Sequence, residues 1–371
     1  MLSGALEIPR ETWDALARRG YHRHAWFVAA EACGAEAKHV GVYKGAELVG
    51  VIPAYIERET LHGDLHARWY GPARGIAAAI GGSLRPSLAM GAPMSSGSDP
   101  LGSDEVLTDA VLDEALQLLE EEARVERVKA IVWPFLDESA TTIREVARLR
   151  GFRESFANSE AVVDVEWSST EEYLESRSKK VRRTLRNELA WVHDQGIRIS
   201  WETDLRAHAE SFDAFYRASY LTRNGRAASL APNFFTELAK TRSPGVRVQC
   251  AWKGSTLLQM TVALDGGGAL DLCMLAQSDE TRNGLLYQHC LCYDPIRVAI
   301  ADGLTRIHLG PSALYPKLLR GARLQSHLTL VRGMTPAARA ALSVLSPVTN
   351  VRNRAKQRRL LGKLRATTSP A

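Results

Sequence analysis

No apolar run in this 371-residue sequence approaches the roughly 20 residues that cross a bilayer. Residues 1–4 (Met1-Leu2-Ser3-Gly4) also lack the basic segment and following apolar block of a secretory leader. The expectation is a soluble cytoplasmic protein with no membrane span. Cysteine is scarce: the five present, Cys33, Cys250, Cys273, Cys290 and Cys292, are odd in number and several sit in apolar stretches. That excludes a disulfide scaffold and suits reduced, buried thiols. Cys290 and Cys292 have neither a second pair nor a histidine at zinc-ligand spacing, so no metal is assigned. No serine or cysteine stands in a recognisable nucleophile elbow. Disorder is excluded as well: 45% hydrophobic and 24% charged residues are ordinary for a globular protein, and the length allows two domains with cores.

The most informative absence is that of acids in two basic stretches. Residues 176–186 hold six cations, Arg177, Lys179, Lys180, Arg182, Arg183 and Arg186, and no Asp or Glu. Read as a helix, Val181, Leu185, Leu189 and Val192 make one apolar stripe, while Lys179, Arg182, Arg183 and Arg186 fall opposite. The apolar side anchors such a helix, the basic side faces out, and Gly196 stops it. Like charges at neighbouring helical positions repel, and a polyanion opposite them relieves the repulsion. The second stretch, residues 350–371, carries seven cations, Arg352, Arg354, Lys356, Arg358, Arg359, Lys363 and Arg365, again with no acid. Subtracting those seven from the net charge of +5 leaves −2 for residues 1–349. In helical register Arg352, Lys356, Arg359 and Lys363 share a face, which fits a helix lying on phosphates as well as a solvated chain end. Two such stretches in one chain bring nucleic acid into view as a partner.

Between these landmarks the pattern alternates. Helical periodicity around Trp13 and Trp26 is followed by a hairpin over residues 39–55, Gly/Pro/Ser-rich loops over residues 71–103, a helix over residues 104–125 with Leu107, Val111, Ala115 and Leu118 on one side, a strand, a helix and a closing strand at residues 160–165. After the basic helix come a helix over residues 205–221, another near Pro232, a hairpin over residues 246–263, a strand over residues 269–275, a helix over residues 284–302 in which Pro295 predicts a kink, and strands at residues 305–309 and 324–331. Residues 42–55 align without a gap on residues 251–264, an offset of 209 that pairs aromatic, Lys, Gly and Leu. The recurring succession marks an internal duplication.

Helices, a hairpin reading aromatic-Lys-Gly-x-x-Leu, then strand, helix and strand resemble the fold of the GCN5-related N-acetyltransferases (GNAT). Two copies joined at a basic helix resemble the FemABX-like branch. The likeness rests on residues 176–196, on residues 246–275, and on residues 299–304 leading to Leu309-Gly310-Pro311-Ser312-Ala313-Leu314-Tyr315-Pro316-Lys317-Leu318-Leu319-Arg320-Gly321. It implies an α/β fold with a mixed sheet, in two tandem GNAT-like repeats: residues 1–165, then residues 166–335 opening with the basic helix 176–195, then a basic tail over residues 336–371. It also implies an enzyme without a resident cofactor, which transfers an amino acid from aminoacyl-tRNA, as co-substrate, to an amine acceptor: a small metabolite, or a cell-wall or antibiotic precursor. An acyl-CoA-dependent N-acyltransferase of the same fold and a non-catalytic RNA-binding protein are the alternatives. A CoA enzyme of the main family would carry Gln/Arg-x-x-Gly-x-Gly/Ala before the kinked helix. This chain has Thr281-Arg282-Asn283-Gly284-Leu285-Leu286, preceded by Asp279 and Glu280, which disfavours pyrophosphate there; in the first repeat Gly75-Ile76-Ala77 is only a faint counterpart.

By the same resemblance Lys317 matches the lysine that follows the last core strand of the second repeat, with the role of stabilising an oxyanion or a phosphate. Arg320 shares its face if the segment is helical. Asp271 is a charge inside the apolar run 269–275. Buried unpaired it would be costly, so it is expected at the sheet's opening, orienting the amine or taking its proton, or else as a structural acid. His289 and Tyr287, on the first turns of the kinked helix, are the further proton-handling candidates. The phosphate-binding set is Arg177, Lys179, Lys180, Arg182, Arg183, Arg186 and Arg320, with Arg352, Lys356, Arg358, Arg359 and Lys363 from the tail.

Overall fold

The computed structural model describes residues 1–58, 84–206, 208–228, 230–278 and 284–368. The chain divides into two compact units. One comprises Met1–Leu16, Ala30–Ser159 and Gln325–Ala371, the other Ala17–Ala29 and Glu160–Leu324. Both are of the α/β class, helices on strands, and the helices α1 (Arg10–Ala15) and α2 (His24–Ala32) form where Trp13 and Trp26 predict them.

In the first unit β1 (Glu36–Ala37), β4 (Ala54–Glu57), β5 (Ser87–Met90), β7 (Ala130–Asp137) and β14 (Arg323–Gly333) are neighbours in that order, with β5 and β7 parallel. β2 (Val40–Lys44), β3 (Glu47–Ile52) and β6 (Leu101–Gly102) make a separate antiparallel sheet. The helix α3 (Asp109–Val125) is capped by Thr108 and buries Leu112, Ala115, Leu116, Leu119 and Ala123. Together with Ile143, Val146 and Ala147 of α4 (Thr141–Leu149) these pack on Leu88, Ile131, Trp133 and Leu136. Leu118, placed on the inner stripe by periodicity, is exposed; the true stripe is rotated by one residue because α4 shares it.

In the second unit the order is β8 (Arg153–Asp164), β13 (Arg306–His308), β12 (Ala269–Gln277), β11 (Thr256–Gly266), β10 (Val246–Lys253) and β9 (Ile197–Glu202). β12 and β13 are parallel and the other pairs antiparallel. Their apolar residues, among them Ala263, Leu270, Leu272 and Ile307, pack with Tyr173 and Leu174 of α5 (Thr170–Glu175) and Leu185 of α6 (Lys179–Asp194). The helices α7 (Ala209–Asn224) and α8 (Phe234–Lys240) follow β9 in the chain. The duplication is visible in the backbone. Both hairpins turn on two residues, Lys44 pairing Glu47 around Gly45 (φ 64) and Lys253 pairing Thr256 around Gly254 (φ 59), a left-handed position that glycine takes without strain. Both also slip register at the aromatic, between Val42 and Tyr43 and between Ala251 and Trp252, 209 residues apart.

Two elements differ from the expected ones. The helix carrying Pro295 is not one continuous α-helix: a short α9 (Leu285–Gln288) opens into a π turn, His289–Tyr293, before α10 (Asp294–Ala301). Pro295 has no N–H to offer the carbonyl of Leu291, so the turn just upstream widens. The basic tail is the second half of a 33-residue helix, α12 (Pro336–Thr368). Its Ala338, Ala341, Leu342 and Leu345 are core residues, and Asn353 donates to the carbonyls of Phe156 and Ala157 at 3.0 and 3.1 Å. Among the described residues no helix is long and apolar enough to cross a membrane.

Candidate active site

The second unit gathers the chemistry around one loop and the short helix after it. β13 delivers the chain into residues 309–313, where Ala313 adopts a left-handed φ of 47°, and α11 (Leu314–Leu319) follows. Lys317, on α11, is completely buried. Its Nζ donates to the carbonyls of Leu309 and Gly310, the latter at 3.3 Å. An ammonium has three donors, and these two bonds fix the direction of the amine. Burial brings this amine down to about 8, with Cys292 and Glu160 pulling the other way. A buried, depressed lysine beside a strained loop is the kind of group that active sites arrange. Tyr287, on α9, is hydrogen-bonded to Ser312 of the same loop, and burial pushes its hydroxyl above the usual range. The structure therefore brings Lys317 and Tyr287 to one loop.

His289 and Asp271 are placed otherwise. His289 opens the π turn and faces Tyr293 edge-on. Burial lowers its affinity for a proton, Asp294 opposing and Arg297 adding to the effect, and among the described residues its buried Nδ1 has no hydrogen-bond partner. Asp271 is not at an opening of the sheet: it is completely buried. It accepts from Arg19 Nε at 3.1 Å and from the Gly20 backbone N–H at 2.6 Å, and Arg19 Nη2 closes the pair. An acid so held has no free lone pair facing an acceptor amine, and it anchors the segment around Gly20 to β12. A Cβ on Gly20 would stand 2.2 Å from the carbonyl oxygen of Leu264, which explains the glycine. Glu160 on β8 lies 3.5 Å from Arg19 and 3.3 Å from His308 Nδ1. Glu160, Asp271 and His308 offer three ligand atoms within 4.8 Å of one another, but the positive charge among them is supplied by Arg19.

The basic helix has two faces. Ser178 caps it, Leu185, Glu188 and Val192 point inward, and Lys179, Lys180 and Arg183 are exposed, with Arg182 half-buried. Arg186 is exposed and paired with Glu171 at 2.5 Å. Arg177 is half-buried over the rings of Trp167 and Tyr173, at 5.3 and 5.4 Å. Arg320, grouped with the phosphate binders by its sequence position, is turned inward at 7% exposure. Its Nη2 gives two bonds to Glu188, 2.5 and 2.7 Å long, so no phosphate reaches it in this arrangement. On α12, Lys356, Arg358 and Arg359 are exposed, Arg352 is half-buried beside Asn353, and Lys363 lies in the last turns. Thr281, Arg282, Asn283, Asp279, Glu280 and the Gly75-Ile76-Ala77 segment lie outside the described residues.

Sequence reasoning missed Arg19, Glu160, His308 and Glu188. Glu188 carried a signal, being the one acid in residues 179–190 and spaced three and four from Leu185 and Val192 on the buried stripe. Arg19 carried none, since its partner is 252 positions away. Of the thiols, Cys250, Cys290 and Cys292 are buried and Cys33 and Cys273 half-buried, and burial pushes Cys292 up to about 11 and Cys250 to about 12, far from thiolate chemistry at neutral pH.

Residues 5–355 match the FemAB-like family, described as peptidoglycan biosynthesis/recognition. Among solved structures the chain is similar to FemX, with 12% identity over 91% of this chain and 98% of that one and a TM-score of 0.63. It is similar also to the C-terminal domain (DUF2156) of a protein designated a lysylphosphatidylglycerol synthetase from Agrobacterium fabrum, with 11% identity, coverage of 91% and 95% and a TM-score of 0.57. L-PGS from Bacillus licheniformis is comparable, with 11% identity, coverage of 93% and 97% and a TM-score of 0.56. No curated protein matches the sequence.

Proposed function

Since the chain belongs to the FemAB-like family and is a transferase, we propose that it moves an amino acid from aminoacyl-tRNA to an amine acceptor, forming an amide. The observation that carries this reading is the pairing of two features in one unit: a completely buried lysine of lowered pKa on α11 and a helix, α6, whose outer face exposes the cations Lys179, Lys180 and Arg183. The amine nitrogen attacks the ester carbonyl, the carbonyl oxygen becomes an oxyanion, and the C–O bond to the terminal ribose breaks as that oxygen takes the proton the nitrogen loses. Lys317 supplies the positive charge for the oxyanion, and Tyr287, hydrogen-bonded to Ser312 of the loop before α11, passes the proton. Lys179, Lys180, Arg182 and Arg183 hold the tRNA backbone, with Lys356, Arg358 and Arg359 as a second basic surface. The family's description supports a cell-wall precursor among the candidate acceptors.

Binding of tRNA over a salt series tests the nucleic-acid half of the proposal. Reversing Lys179, Lys180 and Arg183 to Glu is expected to weaken binding at least tenfold and to lower the slope of log affinity against log salt by about 1 for each phosphate no longer neutralised. Reversal of Lys356, Arg358 and Arg359 is a cleaner probe of α12 than deletion of residues 350–371, which would also remove the bonds Asn353 makes to Phe156 and Ala157. An unchanged slope in both variants would contradict the assignment. A thermal upshift by CoA with no response to tRNA would move the reading to the acyl-CoA-dependent transferase.

A further inference from the structure

Building on the tRNA reading, we propose that Glu188 and Arg320 are a positioning pair that transmits the docking of nucleic acid on α6 to Lys317 on α11. Glu188 sits on the inner face of the helix whose outer face carries Lys179, Lys180 and Arg183. Arg320 immediately follows α11, three residues after Lys317. The guanidinium ties three elements together. Nη2 gives both bonds to Glu188, Nε donates to the Tyr293 hydroxyl of the π turn at 2.9 Å, and Nη1 donates to the Pro316 carbonyl of α11 at 2.8 Å. The Tyr293 hydroxyl donates in turn to Glu188, and the Tyr173 hydroxyl donates to the Arg320 carbonyl at 2.9 Å.

Three physical features make this a linkage rather than a packing detail. α11 has six residues, far too few to hold a helix by itself, so tertiary bonds fix where it lies. α6 has sixteen and moves as a rod about 24 Å long, carrying Glu188 with it when phosphates engage the opposite face. The buried, doubly hydrogen-bonded pair is the strong link in the chain, so displacement of α6 passes to α11 before the pair opens. The consequence falls on Lys317, which is sealed from solvent here and must be re-aimed to meet an ester. Without a nucleic acid on α6 the amine stays on the Leu309 and Gly310 carbonyls, which guards against futile turnover.

The test reads Lys317 directly. Full-length protein is labelled by reductive methylation with and without aminoacyl-tRNA, and modification of Lys317 is followed by peptide mass spectrometry, alongside kcat, KM for the acceptor and Kd for tRNA. In the wild type, tRNA is expected to change the Lys317 labelling rate at least fivefold. In Glu188→Gln the Kd for tRNA stays within threefold, kcat falls at least tenfold with KM unchanged, and the tRNA-dependent change in labelling disappears. Tyr293→Phe, which removes a single hydroxyl, gives the same pattern in weaker form and covers the case in which Glu188→Gln fails to fold. Exchange of the charges, Glu188→Arg with Arg320→Glu, restores part of kcat. A Glu188→Gln protein that keeps wild-type kcat and tRNA-dependent labelling overturns the pair alone. A wild type that binds no tRNA overturns the tRNA reading together with the pair.

Discussion

Lys317→Ala is expected to lower kcat by 100-fold or more while leaving the far-ultraviolet spectrum of the protein unchanged. Removing one donor from an oxyanion site costs about 10²- to 10³-fold in other acyl transfers, and no second cation is placed on the loop of residues 309–313 to substitute. The lysine acts as a cation, and burial brings it to about 8. A descending limb of kcat centred near pH 8 is therefore predicted for the wild type, and it should vanish from the residual activity of Lys317→Met. Stability follows the same group with a definite sign. Its folded pKa lies below the unfolded value near 10.5, so between about pH 8 and 10.5 the unfolded chain binds more protons, and stability rises with pH across that window. Below pH 8 the fold carries the full cost of a charged buried amine, on the order of 3 kcal/mol. Lys317→Met should accordingly be more stable than the wild type at pH 7 and show no such rise, measured by urea unfolding at a series of pH values. Greater stability together with abolished activity is a signature that a purely structural lysine would not give.

Arg19→Ala is the second large effect, and it falls on stability. Asp271 and Glu160 are completely buried, and Arg19 Nη2 reaches both. Deleting one partner of a buried ionic cluster strands the others, at a cost of about 3–5 kcal/mol. The same side chain holds the segment of Gly20 on β12, so the variant also loosens the only part of the chain before residue 160 that belongs to the second unit. Urea titration should show the midpoint falling with the slope nearly unchanged. Arg19→Lys should recover only a fraction, because an ammonium cannot reproduce the two-armed grip that Nε and Nη2 have on Asp271. A loss below 1 kcal/mol in Arg19→Ala would show that the cluster does not depend on this cation.

The basic helix shows how far sequence alone reaches. Its apolar stripe and its stop could be read because a 3.6-residue period and a terminal glycine are local facts, and Gly196 takes the left-handed turn expected of it, with φ 65; its start, Lys179 after the Ser178 cap, lies three residues beyond the expected 176. The duplication could be read for the same reason, since both hairpins repeat the chemistry of a two-residue turn. Lys317 was reached only through a family likeness, as nothing in residues 309–321 announces that the lysine is buried. Asp271 is read from sequence either as a group at the sheet's opening or as a structural acid, and Arg320 as a phosphate binder, because single charges in apolar surroundings are ambiguous until their partners are known. Those partners, Arg19 and Glu188, lie 252 and 132 positions away, beyond the range of any periodicity. The π turn at residues 289–293 escaped because the effect of a missing N–H at Pro295 is felt one turn upstream.

The central claim is that an RNA-borne aminoacyl group is the donor. It is tested most directly by incubating the protein with a mixture of aminoacyl-tRNAs and candidate amines, cell-wall precursors included, and reading new amides by mass spectrometry before and after RNase treatment. The expected product is an aminoacylated acceptor that disappears when the RNA is digested first, that does not depend on CoA thioesters, and that is not formed by Lys317→Ala. Amide formation that survives RNase and requires an acyl-CoA would contradict the claim.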